Sequence, residues 1–393
     1  MLPLYTSGAP RRDVAANAHK VGCRLGKAAK TRRRVEGRAK GAILIRMDTI
    51  ADTLSVGPGG ASVSMRPAAV QTIANGGSSH PVVGRFAPSP SGRMHLGNVF
   101  SSLVAWLSAR SQGGRVVLRI EDLDERTRRG PWADLLIEDL HWLGLEWDEG
   151  PYYQHDREEL YTAALTRLKD RGLVYPCFCT RSELHAASAP HASDGTPIYA
   201  GTCRGLSAEE VAERSRMRPA ALRLRVPAEN DPAGEVAFTD RAFGRYSETL
   251  ARDCGDFLVR RSDGVFAYQL AVVVDDAAMG VTEVVRGRDL LGSSARQMYL
   301  QNLLGYAHPA YAHVPLLVAP EGRRLSKRDR DCGMETLRER FGAPERLLGF
   351  LAHAAGLAPD PAPRSAEQLV PLFSWEAVRA HRGDIVVRDG SLE

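Results

Sequence analysis

The chain has 393 residues, 44% of them hydrophobic, enough to bury a sizeable core in two or three structural units. Its net charge of +5 is unevenly placed: residues 1–80 hold 13 Lys and Arg against 4 Asp and Glu, and the remainder holds 39 against 43. The body is therefore slightly acidic, which excludes a uniformly basic nucleic-acid coat and requires any RNA to be met by a local patch. The longest apolar run of the head, Ala42-Ile43-Leu44-Ile45, is too short for a membrane span or a signal-peptide core.

The head, residues 1–80, contains Arg32-Arg33-Arg34, Gly57-Pro58-Gly59-Gly60 and Gly76-Gly77-Ser78-Ser79 and few large apolar residues, a composition that predicts disorder. A start assigned too early, with Met47 and Met65 as internal starts, or an inert tail are the plain readings. An RNA-binding arm and a transit peptide are the alternatives.

Ordered structure is expected from Val82, where the strand Val82-Val83-Gly84-Arg85-Phe86 runs into Ala87-Pro88-Ser89-Pro90-Ser91-Gly92-Arg93-Met94-His95-Leu96-Gly97-Asn98. A helix follows, with Val99, Leu103, Trp106 and Leu107 on one apolar face. His95 and Gly97 fall at its start, where free backbone N–H groups attract phosphate and an imidazole adds a donor. Beyond Gly113-Gly114 the strand Arg115–Ile120 completes a βαβ unit, whose second strand is parallel to the first and delivers Glu121 into the crevice where doubly wound sheets bind ligands. Glu121 suits an ammonium group, whereas Asp122 and Asp124 fit a solvated acidic turn.

Cys177-Phe178-Cys179 and Tyr199-Ala200-Gly201-Thr202-Cys203 gather three of the six cysteines. In a reducing cytosol such thiolates suit zinc better than disulfides, and a tetrahedral site would staple a small insert. His185, His191 and Tyr199 are available as a fourth ligand, free structural thiols are the alternative, and Ala186–Ile198 reads as a loop. Cys23, Cys254 and Cys332 show no such company.

The apolar run Val265–Val274, ending in Asp275-Asp276, and the segment Val281–Asp289 are expected to form the second half of the sheet. Arg85 and Arg286 could each present a guanidinium fork to a carboxylate. After an expected strand Val314–Val318, Lys327 in Arg323-Arg324-Leu325-Ser326-Lys327-Arg328 is the natural partner of nucleotide phosphates. The 65 residues after Arg328 leave room for helices at Met334–Gly342 and Pro344–Ala355.

The stretch around His95 resembles the first signature of the class I aminoacyl-tRNA synthetases, His-Ile-Gly-His, and the preceding Arg-Phe-Ala-Pro-Ser-Pro-Ser-Gly is similar to their glutamate-specific branch. Arg324-Leu325-Ser326-Lys327-Arg328 resembles the second signature, Lys-Met-Ser-Lys-Ser. Asn98 stands for the second His and Arg324 for the first Lys, both still hydrogen-bond donors.

The resemblance implies a Rossmann-like doubly wound α/β catalytic domain. Glutamate would be bound by Arg85, Phe86, Ala87, Pro88, Ser89, Glu121, Tyr268 and Arg286, with burial of Tyr268 as mere core the competing reading. ATP would be bound by His95, Gly97, Asn98, Ser326 and Lys327, with catalysis by His95 and Lys327. It implies Mg2+ with the ATP, and Zn2+ on Cys177, Cys179, Tyr199 and Cys203. The short remainder is similar to truncated paralogues of glutamyl-tRNA synthetase, which lack its anticodon-binding domain and transfer glutamate to queuosine in tRNA(Asp).

The expected organisation is residues 1–80 as an extension, 81–171 and 253–330 as the halves of the catalytic domain, 172–252 as a zinc-bearing insert and 331–393 as a helical tail. The expected protein is a cytoplasmic monomer without a membrane partner. Three rivals remain at this stage: a minimal enzyme charging tRNA(Glu), a tRNA-independent glutamyl ligase, and a non-catalytic RNA-binding paralogue.

Overall fold

A computed structural model describes residues 81–184, 198–322, 333–388 and 391–392. These residues all belong to a unit running from Met65 to Glu393. The extension 1–80, His185, His191, Cys332 and the second-signature residues Ser326 and Lys327 lie outside the described residues.

Strand Val83–Phe86 pairs in parallel with Arg115–Ile120, which pairs in parallel with Glu149–Tyr153. Strands Glu283–Gly287 and Ala310–Val314 form a second parallel pair. The two groups abut along the first strand. The Val83 amide donates to Thr282 Oγ1 at 2.9 Å, the Thr282 amide donates to the Val83 carbonyl at 3.0 Å, and Arg85 reaches the Val285 carbonyl. Strand 83–86 is thus flanked by 115–120 on one side and 283–287 on the other, and a crevice opens at the carboxyl ends where the winding reverses.

Alternation along the strands divides the core into two layers. Val116, Leu118 and Ile120 pack with helix Leu96–Ser111 and with the tail helices Pro344–Ala354, Ala366–Leu369 and Trp375–Ala380. Val117 and Val284 face the opposite side, against helices Glu158–Asp170, Tyr268–Ala278 and Leu291–Leu304. Val99, Leu103, Trp106 and Leu107 are all buried, as their spacing predicts. Helix Leu96–Ser111 ends before Gly113 at φ +64, and at Gly114 a Cβ would lie 2.4 Å from the Val82 carbonyl, so the return to the sheet needs both glycines.

Two expectations are corrected. The run Val265–Val274 is not a strand: Tyr268–Ala278 is a helix, with Gln269 through Asp276 all buried. Its two turns from Gln269 to Asp276 are buried on all sides, so the run Leu270–Val274 carries no polar face and reads like a central strand. The expected strand Val314–Val318 is broken at Pro315, where Ala310–Val314 ends and a short strand Leu317–Val318 pairs instead with Ile385–Arg388 of the tail. The tail helices Met334–Phe341 and Pro344–Ala354 lie where the sequence places them.

Between the halves, strands Val174–Cys177, Ala221–Leu224 and Phe257–Arg260 make an antiparallel sheet. Helix Ala208–Met217, with its Ser207/Glu210 capping box, precedes the middle strand. A separate hairpin, Glu235–Asp240 with Gly244–Thr249, packs against strand Ala310–Val314 of the main sheet. Among the described residues, no helix is long and apolar enough to cross a membrane.

Candidate active site

The crevice at the carboxyl ends of strands 83–86, 115–120 and 283–287 encloses a cavity of about 470 Å³. Arg85, Phe86, Ala87, Pro88 and Ser89 enter it from the first strand and its loop, Glu121 from the end of the next strand, Tyr268 from the start of a helix, and Arg286 from the fourth strand. His95, Gly97 and Asn98 line the same cavity. Every residue expected at the site within the described part of the catalytic body therefore converges on one space.

The helix start differs from expectation in one respect. The Gly97 amide is not open but donates to His95 Nδ1 at 3.1 Å, and the His95 amide donates to Asn98 Oδ1 at 3.2 Å, a capping box made by the signature itself. Because Nδ1 accepts, the proton of the neutral ring sits on Nε2. Gly97 favours this fold-over, since a Cβ there would stand 3.1 Å from His95 Cε1 and press the ring outward by a few tenths of an ångström. Asn98, in the place of the second histidine, holds His95 in position.

Charges of both signs are buried around the cavity. Arg85 donates to the Val285 carbonyl at 3.0 Å, its Nε has no hydrogen-bond partner, and Asp276 Oδ1 lies 3.7 Å away. Burial lowers the pKa of Arg85 against the pull of Asp276. Glu121 takes a hydrogen bond from Arg119 at 3.3 Å; burial raises its pKa, and Arg119 and Arg85 oppose the rise. Arg286 donates to Gln297 at 2.8 Å, Ser294 at 2.8 Å, His313 at 3.0 Å and the Tyr268 hydroxyl at 3.4 Å. Tyr268 thus does more than fill core, and burial raises its pKa.

Beneath the cavity lies Arg119, with no exposed surface. It binds Asp276 at 2.7 Å and Glu121 at 3.3 Å, and its Nε is 3.7 Å from Asp275. Asp275 in turn accepts from Gln154, Arg157 and Tyr161 at 2.8, 2.6 and 2.8 Å. Of the acidic residues after Glu121, Asp122 is not solvated but buried against the His155 amide and ring, whereas Asp124 stays partly exposed, capping the next helix and binding Arg126 and Arg261.

The sequence reading missed Arg119, Ser294, Gln297 and His313. The one signal available for His313 was a polar residue inside the buried strand Ala-Tyr-Ala-His-Val.

Cys177, Cys179 and Cys203 bring their sulfurs within 4.8 Å of one another. Cys179 Sγ is 3.7 Å from Cys203 Sγ, and the Tyr199 hydroxyl is 3.6 and 3.7 Å from the sulfurs of Cys177 and Cys179. Metal–sulfur bonds of ~2.3 Å in a tetrahedron put sulfurs about 3.8 Å apart, so this donor set fits a metal ion. The Cys203 amide donates to the Tyr199 oxygen at 2.7 Å, and Arg223 lies over the Tyr199 ring and reaches Cys177 Sγ at 3.3 Å. Burial raises the Cys177 thiol, but the Cys179 amide, the Tyr199 hydroxyl and Arg223 outweigh it and leave its pKa lowered.

Residues 81–358 match the family model described as tRNA synthetases class I (E and Q), catalytic domain, which sets the class. A glutamyl-Q tRNA(Asp) synthetase of Symbiobacterium thermophilum is 49% identical over 304 residues, 74% of this chain and 91% of that protein. One of Nocardia farcinica is 48% identical over 314 residues, 79% of this chain and 94% of that protein. The chain belongs to the glutamyl-Q tRNA(Asp) synthetase family. Among solved structures, a glutamate tRNA ligase of Elizabethkingia meningosepticum in complex with its amino acid aligns with a TM-score of 0.66 at 27% identity, over 78% of this chain and 67% of that one.

Proposed function

We propose that the protein activates glutamate with ATP and transfers the glutamyl group to the queuosine base in the anticodon of tRNA(Asp). The observation that carries the activation step is one cavity shared by the His95 helix start and by Arg85, Glu121, Tyr268 and Arg286. The acceptor rests on family membership. A dicarboxylic amino acid presents one ammonium and two carboxylates. Glu121 meets the ammonium, Arg85 provides a fork for one carboxylate, and Arg286, with Nε and Nη1 engaged by His313, Gln297 and Tyr268, offers its remaining Nη2 hydrogen to the other.

In the first step, a substrate carboxylate oxygen attacks the α-phosphorus of ATP, forming glutamyl-adenylate and expelling pyrophosphate. In the second, a nucleophilic group of queuosine attacks the acyl carbon and AMP leaves. No protein nucleophile is needed. His95, with its proton on Nε2, donates to the phosphate as charge builds, and Lys327 with Ser326 stabilises the departing pyrophosphate. Mg2+ bound with the ATP would supply further positive charge for the leaving pyrophosphate. Cys177, Cys179, Cys203 and Tyr199 would hold Zn2+, which would cross-link the segment beside the antiparallel sheet.

The acceptor is tested by incubating the protein with ATP, magnesium, labelled glutamate and one of three RNAs. Label is expected on tRNA(Asp) containing queuosine and on neither the same tRNA lacking queuosine nor tRNA(Glu). Label on tRNA(Glu) would replace this reading with a minimal charging enzyme.

Glutamate binding by Glu121 requires its carboxylate form, and its pKa lies above the ordinary 4.5. As pH falls through that raised value the KM for glutamate should climb, and Glu121→Gln should remove the dependence. The same protonation acts oppositely on folding: the raised pKa means that the folded state takes up the proton first, so this group's contribution to stability grows as pH falls and is lost as pH rises. A KM that is flat down to pH 4.5 would contradict the assignment.

For the metal, elemental analysis of purified protein should find one zinc per chain. Cys203→Ser should lose it and lower the melting temperature without changing the KM for ATP. A protein that retains full stability after zinc is stripped would leave the cysteines as plain core.

A further inference from the structure

His313 is fully buried in strand Ala310–Val314, and its two ring nitrogens face partners of opposite character. Nε2 lies 3.0 Å from Arg286 Nε, and Nδ1 lies 2.6 Å from Asp240 Oδ2. A guanidinium has donors only, so Nε2 must accept and be unprotonated. The single proton of the ring then sits on Nδ1 and is given to the Asp240 carboxylate. A doubly protonated ring would set N–H against N–H at Arg286. Burial lowers the His313 pKa, and the nearby Arg286 and Arg85 add to this against the pull of Asp240, in keeping with a neutral ring.

Asp240 is itself held rigidly. It ends strand Glu235–Asp240 of the separate hairpin, and its Oδ1 accepts the amides of Ala242 and Phe243 at 2.9 Å each and that of His313 at 3.2 Å. The hairpin thereby reaches the cavity through Asp240, His313 and Arg286. Gln297 and Ser294 occupy the terminal nitrogens of Arg286, whereas His313 holds its Nε edge. Fixing that edge sets the plane in which the remaining Nη2 hydrogen meets a carboxylate.

We propose that Asp240 and His313 are positioning residues that lock the Arg286 guanidinium in one plane and so give the site its preference for a carboxylate over a carboxamide side chain. The proposal rests on the reading of the cavity as a glutamate site. Asp240→Asn keeps a carbonyl oxygen for the turn amides but can offer an N–H to His313. That moves the ring proton to Nε2, where it opposes Arg286.

The experiment is glutamate-dependent ATP–pyrophosphate exchange together with 15N NMR of the imidazole nitrogens. Wild type should show the Nδ1–H tautomer. Asp240→Asn should raise the KM for glutamate roughly 10-fold or more, as expected for a misplaced binding group, with kcat and the KM for ATP near wild type and the preference over glutamine reduced. His313→Gln, which retains an acceptor for Arg286 and a donor for Asp240, should recover most of the loss seen in His313→Leu. An Nε2–H tautomer in the wild type, or a glutamate KM within twofold of wild type in a folded Asp240→Asn, overturns the proposal. Failure of the wild-type protein to exchange with glutamate would refute the glutamate reading instead, and the tautomer measured on that same protein would then decide whether the relay exists.

Discussion

A guanidinium with no exposed surface must find carboxylates or be unaffordable, and Arg119 is such a group at the centre of this molecule. Its partners come from separate parts of the chain: Glu121 from its own strand end, and Asp275 and Asp276 from helix Tyr268–Ala278. A third segment contributes Gln154, Arg157 and Tyr161, which complete the coordination of Asp275. These pairs tie the strand end at Glu121 to helix Tyr268–Ala278 through one buried guanidinium. That arrangement also turns Glu121 toward the cavity and places Asp276 beside Arg85.

The site inherits its character from this arrangement. Arg85 and Arg286 supply positive charge on strands 83–86 and 283–287, which abut in the sheet, while Glu121 supplies negative charge from the next strand over. A zwitterion with an additional carboxylate matches that distribution. The helix start bearing His95 borders the same space, so on the proposed reading an amino acid held there would present its carboxylate to a nucleotide phosphate. Positioning and charge stabilisation then suffice for activation.

Legibility in the sequence followed the range of the interactions. Strand Arg115–Ile120 and helix Leu96–Ser111 were readable because their periodicity is local, and Glu121 because a carboxylate leaving a strand end is a positional signal. The three cysteines were readable from spacing within 27 residues, whereas Tyr199 was singled out from His185 and His191 only by the family resemblance. Helix Tyr268–Ala278 was misread because burial of Gln269 through Asp276 erased the polar face that distinguishes a helix. Arg119 was passed over as an ordinary charge in a strand, since its aspartate partners lie more than 150 positions away, and Asp275-Asp276 gave no hint of where they point. The His313–Asp240 pair, 73 residues apart, was equally hidden, because its meaning lies in a proton assigned by a third residue.

The most direct measurement is the stability of Asp276→Asn by denaturant unfolding. If the buried charge network holds the two halves together, the variant should lose about 3 kcal/mol with an unchanged denaturant slope, as when one partner of a buried pair is removed. A variant as stable as the wild type would contradict the claim that the fold is organised around Arg119.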